Sequence, residues 1–336
     1  MATIKDVARH AGVSNATVSR VIRNENTVTD KTRELVNQAI RELNYQPNAL
    51  ARQLKTQSTG FIIVVVPDIG NTFFHEILFG IEEKAVKSDA HVLIADMHNE
   101  LDIETYYFNA LLQRQVDGVI SLSANAARSL MEKAASNYPM VVACQYLENS
   151  AVPNVTIDNA SASRDIVRHL IGQGRRKIAH LTADPNFVLY RDRLNGYLTA
   201  LTEAGLPMAL ELIRYGKSSI QSGYEQTMNL LDSGAQFDAI FAAGDTMAIG
   251  AVKALKAAGL QVPKDCAVVG FDDIEMSSVM EPALTTIRQP KYQMGQTAMG
   301  ILLDLIHGRP VKNPKVIMDY ELVVRESCGA KDRTRS

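Results

Sequence analysis

The sequence predicts a small all-α head followed by a larger α/β body made of two similar parallel-sheet halves. Three observations carry this. The first 46 residues hold three short apolar-periodic segments separated by turn residues. From Phe61 onward, short apolar runs alternate with amphipathic stretches, the pattern of parallel strands covered by helices. The alternation restarts after Ile157, and Phe79-Gly80-Ile81 in one half is echoed by Asn195-Gly196-Tyr197 in the other.

In the head, Thr3 can cap a helix whose apolar positions are Ile4, Val7, Ala8 and Ala11, and Gly12 ends it. Ser14 then caps a second helix with Val18, Val21 and Ile22 on one face. The short Gly-containing turn between them has helix-turn-helix spacing. A third helix from about Asp30 to Asn44 turns Leu35, Val36, Ala39, Ile40 and Leu43 inward. The other face of the second helix carries Asn15, Ala16, Ser19, Arg20 and Arg23. Such short polar and guanidinium side chains suit a major groove about 12 Å wide, where Arg20 could grip guanine with two hydrogen bonds. Ser14, Thr17 and Arg23 are better placed for phosphates. The plainer alternative is a three-helix bundle with a solvated polar face.

Charge distribution favours the DNA reading. Residues 1–58 carry nine Lys/Arg against five Asp/Glu, a local +4, although the whole chain is −2 and the remainder therefore −6. A basic head on an acidic body is an electrostatic footprint for phosphate.

In the body, strands are expected at Phe61–Val66, His91–Ala95, Val116–Leu122 and Pro139–Ala143, with helices at Phe73–Ser88 and Leu101–Gln113. The second half repeats the scheme with a helix near Ser161–Gly172, a strand Lys177–Thr182 and a helix Asp192–Ala204. Strands Ala239–Ala242 and Ala267–Phe271 follow. Ligands bind beyond the carboxyl ends of strands in such sheets, so strand-end residues are the candidates for ligand contact. They include the Pro67–Phe74 loop, the Arg191–Arg193 region, Phe241–Asp245 and Gly270–Asp273. Here too a structural role competes: either phenylalanine could be core, Asp245 could cap a helix, and Arg193 could pair with Asp272.

The composition is that of an ordinary globular protein, 46% hydrophobic and 21% charged. No apolar run approaches the ~18 residues of a membrane span. The first residues lack the apolar core of a secretory signal, and Cys144, Cys266 and Cys328 are few, odd in number and widely spaced. A cytoplasmic protein with buried thiols is expected. Walker, GxSxG, HExxH and GxGxxG motifs are missing, and the seven histidines lack metal spacing. A non-enzyme without cofactor or metal is therefore expected.

Thr3-Ile4-Lys5-Asp6-Val7-Ala8, Gly12-Val13-Ser14 and Thr17-Val18-Ser19-Arg20-Val21 closely resemble the head of the lactose/galactose repressor (LacI/GalR) family. Tyr45-Gln46-Pro47-Asn48 and Ala51-Arg52-Gln53-Leu54 match that family's hinge. The resemblance runs through Arg325. It implies a DNA-binding head over 1–46, a hinge helix and linker over 47–60, and an effector-binding and dimerising body over 61–330. The body would resemble periplasmic sugar-binding proteins, two subdomains joined by three crossovers, with Thr285–Pro290 fitting one of them.

The resemblance adds Thr3, Asn48, Ala51, Arg52, Leu54 and Lys55 to the DNA-contacting set, Leu54 as a wedge into a minor-groove base step. It places Phe73, Phe74, Gln145, Arg193, Phe241 and Asp272 at the effector pocket, with Thr72 a lesser candidate. Partners would be an inverted-repeat operator in double-stranded DNA, a small-molecule effector and a second copy of the chain. Val65–Ile69, Phe73–Phe74, Val155–Asn159 and Arg193–Tyr197 are most similar to the cytidine repressor type, which implies a sugar or nucleoside effector. Two rivals are a solute-binding protein, opposed by the head, and a sugar- or nucleoside-processing enzyme, for which Asp272-Asp273 alone is poor support.

Overall fold

A computed structural model describes residues 2–22, 27–46, 58–97, 106, 109, 113, 115–124 and 128–330. The chain divides into two units, Met1–Thr59 and Gly60–Ser336.

The first unit holds α1 (Ile4–His10), α2 (Asn15–Ile22) and α3 (Asp30–Glu42). Thr3 starts α1 with a reciprocal capping box: its hydroxyl accepts from the Asp6 amide, and the Asp6 carboxylate accepts from the Thr3 amide. Thr29 caps α3. Val7, Ala8, Val18, Val21, Val36 and Ala39 form the core, flanked by Ile4, Ile22, Ile40 and Leu43. Leu35 departs from expectation. It lies on the flank of the stripe, 46% exposed. His10 Nε2 meets Glu42 Oε2 at 2.6 Å, tying α1 to α3.

The second unit contains two all-parallel sheets. The larger has order β11-β5-β4-β3-β1-β2 and the smaller β7-β6-β8-β9. The strands are β1 (Phe61–Val66), β2 (His91–Asp96), β3 (Gly118–Ser121), β4 (Met140–Ala143), β5 (Asn154–Ile157) and β6 (Ile178–Thr182). They continue with β7 (Ile213–Tyr215), β8 (Ala239–Ala242), β9 (Ala267–Val269), β10 (Thr286–Arg288), β11 (Lys315–Met318) and β12 (Glu321–Val323). The helices are α4 (Phe73–Val86), α5 (Arg128–Asn137), α6 (Asn159–Gly172), α7 (Val188–Glu203), α8 (Ile220–Asp232), α9 (Asp245–Ala257), α10 (Glu275–Val279) and α11 (Lys291–Ile306).

Three segments pass between the halves. The chain leaves β5 for α6, returns through β10 into α11, and passes from β11 to β12, which pairs antiparallel with β10. Expected Thr285–Pro290 thus contains β10 and leads into α11. The helix expected at Asp192 begins earlier, at Val188, and the helix expected at Leu101–Gln113 lies largely outside the described residues.

The echoed glycines have one physical reason. A Cβ on Gly80 would lie 2.2 Å from the Tyr292 carbonyl, and one on Gly196 2.2 Å from the Ala160 carbonyl. Each lets two helices touch backbone to backbone, α4 on α11 in the first half and α7 on α6 in the second.

Candidate functional site

In the head, Asn15, Ala16 and Arg20 are exposed on α2, with Thr17 and Ser19 half-buried beside them. Ser14 Oγ accepts from the Thr17 amide at 3.1 Å and meets the Thr17 hydroxyl at 2.9 Å. The expected face is therefore presented at the start of a capped helix, where backbone amides and dipole favour phosphate. Thr3 is exposed, but its hydroxyl is engaged with Asp6 at 2.7 Å. Arg23, Asn48, Ala51, Arg52, Leu54 and Lys55 lie outside the described residues.

In the body, Arg193 is the hub. It sits in the second turn of α7 and is buried, 5% exposed. Its Nε donates to Asn159 Oδ1 at 2.9 Å, Nη1 donates to the Ala243 carbonyl, and Nη2 to Asp272 Oδ1 at 3.2 Å. The guanidinium carbon stands 3.6 Å over the Phe271 ring. A buried guanidinium needs this many partners to offset its lost hydration. Gln289 Nε2 donates to the same Asp272 oxygen at 2.7 Å. Burial pushes the Asp272 carboxyl upward, while the charges of Arg193 and Lys291 pull it back.

Asp272 and Asp273 both have left-handed backbone, φ 113° and 47°. Non-glycine residues hold such angles only when their surroundings fix them. Asp273 is fixed by Arg288 at 2.6 Å and Arg325 at 2.7 Å. The turn is anchored from behind by Asp245, whose carboxylate accepts from the Ile274 amide and from the Ser277 and Thr286 hydroxyls. Asp245 is not the helix cap that was the plain alternative: Gly244 holds the N-cap position of α9, and the Asp245 carboxylate serves the turn instead.

The first half supplies polar atoms that end without partners. Ser123 Oγ and Gln145 Oε1 are buried and unbonded within the described residues. They follow the adjacent strands β3 and β4, at their carboxyl ends. The next residues reach the second half: Tyr146 donates to Asp192 at 2.9 Å, and Glu148 pairs with Arg191 at 2.7 Å. Carboxyl ends of both sheets therefore meet around one polar centre. A separate opening of about 410 Å³ lies among the crossover segments, lined by Glu76, Asp273, Gln289, Lys291, Asp319 and Tyr320 among others; it shares Gln289 with this centre but not Arg193, Asp272, Ser123 or Gln145.

The aromatic expectations fare differently. Phe73 and Phe74 begin α4 and are each 7% exposed, packed edge to face at 5.1 Å. Phe241 is a correction. It is fully buried, and its ring stacks on His180 at 4.7 Å. His180 and Phe241 are register partners on neighbouring strands, so their side chains share the helix-covered face. Burial pushes His180 down to about 4, keeping the imidazole neutral in that core. The strand-end contact comes instead from the Ala243 carbonyl. Sequence reasoning missed Ser123, Tyr146, Asn159, Gln289 and Lys291. Asn159 and Gln289 stood inside segments already noted, at points where the chain changes halves.

Residues 3–48 match the model of bacterial regulatory proteins of the lacI family, and residues 167–328 match that of a periplasmic binding protein-like domain. The HTH-type transcriptional regulator RegA of Clostridium saccharobutylicum is 38% identical over 97% of this chain and 99% of its own. The HTH-type transcriptional repressor CytR of Escherichia coli (strain K12) is 36% identical over 98% and 97%. Among solved structures, the lac repressor dimer bound to operator and the anti-inducer ONPF superposes with TM-score 0.86 at 34% identity, covering 98% of this chain and 99% of the other.

Proposed function

Since the chain belongs to the lacI family of bacterial regulatory proteins, we infer that it binds an inverted-repeat operator as a homodimer and is switched by a small neutral effector held between the two halves of the body. It is a DNA-binding transcription regulator, as its end-to-end relatives are.

The capped α2 face with exposed Asn15, Ala16 and Arg20 is the reading element. Thr3, Ser14, Thr17 and Ser19 would hold the backbone, and Arg23 and the hinge residues Asn48, Ala51, Arg52, Leu54 and Lys55 would extend the contact. One head reads a few base pairs, so two heads related by a two-fold axis need a palindromic site. The lac repressor structure, a dimer on operator, supports that arrangement.

The effector site centres on Arg193, Asp272 and Gln145, with Asn159, Ser123 and Gln289 added and Phe241 removed. The observation that carries it is the pair of buried oxygens, Ser123 Oγ and Gln145 Oε1, that have no partner among the described residues and lie just past the carboxyl ends of β3 and β4, the sheet end from which the chain reaches α7 beside the Arg193–Asp272 pair. Its electrostatics favour an uncharged polyhydroxyl compound such as a sugar. Arg193 pairs with Asp272, Lys291 with Glu76, and Arg191 with Glu148, so an anionic ligand would have to displace a carboxylate. Phe73, Phe74 and Phe241 are buried, so a nucleobase would have to stack on a ring such as Tyr190, half-buried near Arg193 and Asp272. Ligand hydroxyls can instead bridge donors and acceptors already in place.

The test begins with selection of bound DNA from a random pool. The selected sites should share an inverted repeat. Arg20→Ala should cost about 1–3 kcal/mol and relax preference at one symmetric position. Selected DNA without two-fold symmetry, or an Arg20→Ala protein with wild-type base ratios, refutes the DNA assignment. A thermal-shift screen of neutral sugars, sugar phosphates and nucleosides tests the effector class. A ligand at 100 times its Kd stabilises by about 2.7 kcal/mol.

A further inference from the structure

We propose that Lys291 is a positioning residue that clasps the Asp272–Asp273 turn of the second half to the first half, so that the effector-facing turn and α4 move as one body.

Lys291 opens α11, a helix packed along α4 on the larger sheet, and is only 4% exposed. Its Nζ donates to the Asp273 carbonyl at 2.7 Å and pairs with Glu76 Oε1 of α4 at 2.8 Å, where the ammonium is buried but the Glu76 side chain is 59% exposed. A buried ammonium has strong need of acceptors, and these two come from opposite halves. The Asp273 side chain is already held by Arg288 and Arg325, and its amide donates to Thr286 Oγ1 at 3.4 Å. Those contacts hold the turn to the crossover strand and to the segment after β12. Lys291 holds it to the helix layer of the first half.

The proposed clasp distinguishes a closed cleft from an open one. With the halves together, the ammonium has both acceptors. If they part, the carbonyl leaves and the buried charge keeps Glu76 alone. Among the described residues, Tyr146–Asp192 and Glu148–Arg191 also span the halves. The second is solvent-exposed on both sides, with side-chain exposures of 38% and 54%, and exposed pairs contribute little. The α4 helix follows directly on β1, whose first residue is Phe61. Displacement of the clasp is therefore felt at the strand where the body begins. The clasp stands on the cleft geometry and does not depend on which effector is bound.

The experiment measures the distance between the halves directly, without DNA or effector. Spin labels are placed by Ile69→Cys and Lys217→Cys, exposed positions in the loops after β1 and β7. The three native cysteines are buried, which keeps labelling selective. Labelled full-length protein is diluted with an excess of unlabelled chain so that pairs arise within one protomer. Pulsed dipolar spectroscopy should give one narrow distance in the otherwise native protein. Lys291→Met should broaden it and add a longer population, and Glu76→Gln should give an intermediate result. A Lys291→Met distribution superimposable on the native one overturns the proposal. If Lys291→Met fails to fold, Lys291→Gln decides: broadening supports the clasp, and an unchanged distribution overturns it. A failure of the effector assignment leaves this readout untouched.

Discussion

Replacing Asp245 by asparagine should remove a pH dependence of stability that the body otherwise carries. Asp245 is 1% exposed. Its Oδ2 accepts from the Ile274 amide at 3.0 Å and the Ser277 hydroxyl at 2.7 Å, and Oδ1 from the Thr286 hydroxyl at 2.6 Å. Burial first, and then the nearby Asp272 carboxylate, push its pKa from the ordinary 3.8 up to about 7. Between those values the native carboxyl keeps a proton that the unfolded chain has lost. The unfolded state binds fewer protons there, so stability falls as pH rises through the window and levels off above about pH 7. Each pH unit is worth about 1.4 kcal/mol, which brings the whole window to about 4 kcal/mol. Asparagine fits the same contacts without charge. Its carbonyl can accept from Ile274 and Ser277, while its amide donates to the Thr286 hydroxyl. Urea unfolding of both proteins should therefore show near-equal stability around pH 4 and a gap favouring Asp245→Asn that widens to pH 7. Parallel stability curves, or a variant weaker by a constant amount at every pH, would show that Asp245 is ionised in the native state and refute the reasoning.

Two further outcomes follow from the same packing. Gly80→Ala places a methyl 2.2 Å from the Tyr292 carbonyl, where backbone has to give, so α4 and α11 should separate at a cost of about 1–3 kcal/mol or more by chemical denaturation; a native-like midpoint would contradict the close approach. Arg193→Met strips the buried Asp272 carboxylate of its paired charge, leaving it the Gln289 amide, and should cost about 3–5 kcal/mol, with part of the loss recovered in Arg193→Met/Asp272→Asn. If the double variant is no more stable than the single, the two side chains are not coupled.

Much of the architecture was written in local chemistry. The caps Thr3 and Ser14, the stripe of Val7, Val18, Val21, Val36 and Ala39, and the runs Phe61–Val66 and Ala239–Ala242 emerge where period and capping place them. These are signals between residues a few positions apart, and a sequence displays them directly. The strands β7, β10 and β12 are three residues each with a polar residue among them, so no apolar run marks them as one marks the equally short β9, and they exist because long-range partners complete their hydrogen bonds. Tertiary structure likewise decided the effector site. Phe241 read as a strand-end aromatic, but pairing with His180 directs it into the core. Lys291 and Glu76 are 215 positions apart, and Arg193 and Asp272 are 79 apart. No spacing rule connects them, because the three crossings between halves fold remote segments onto one polar centre. The sequence alone determined which residue types could read DNA and where strands end. Which of those ends share a charge, a clasp or an unfilled hydrogen bond was settled only when the two sheets met.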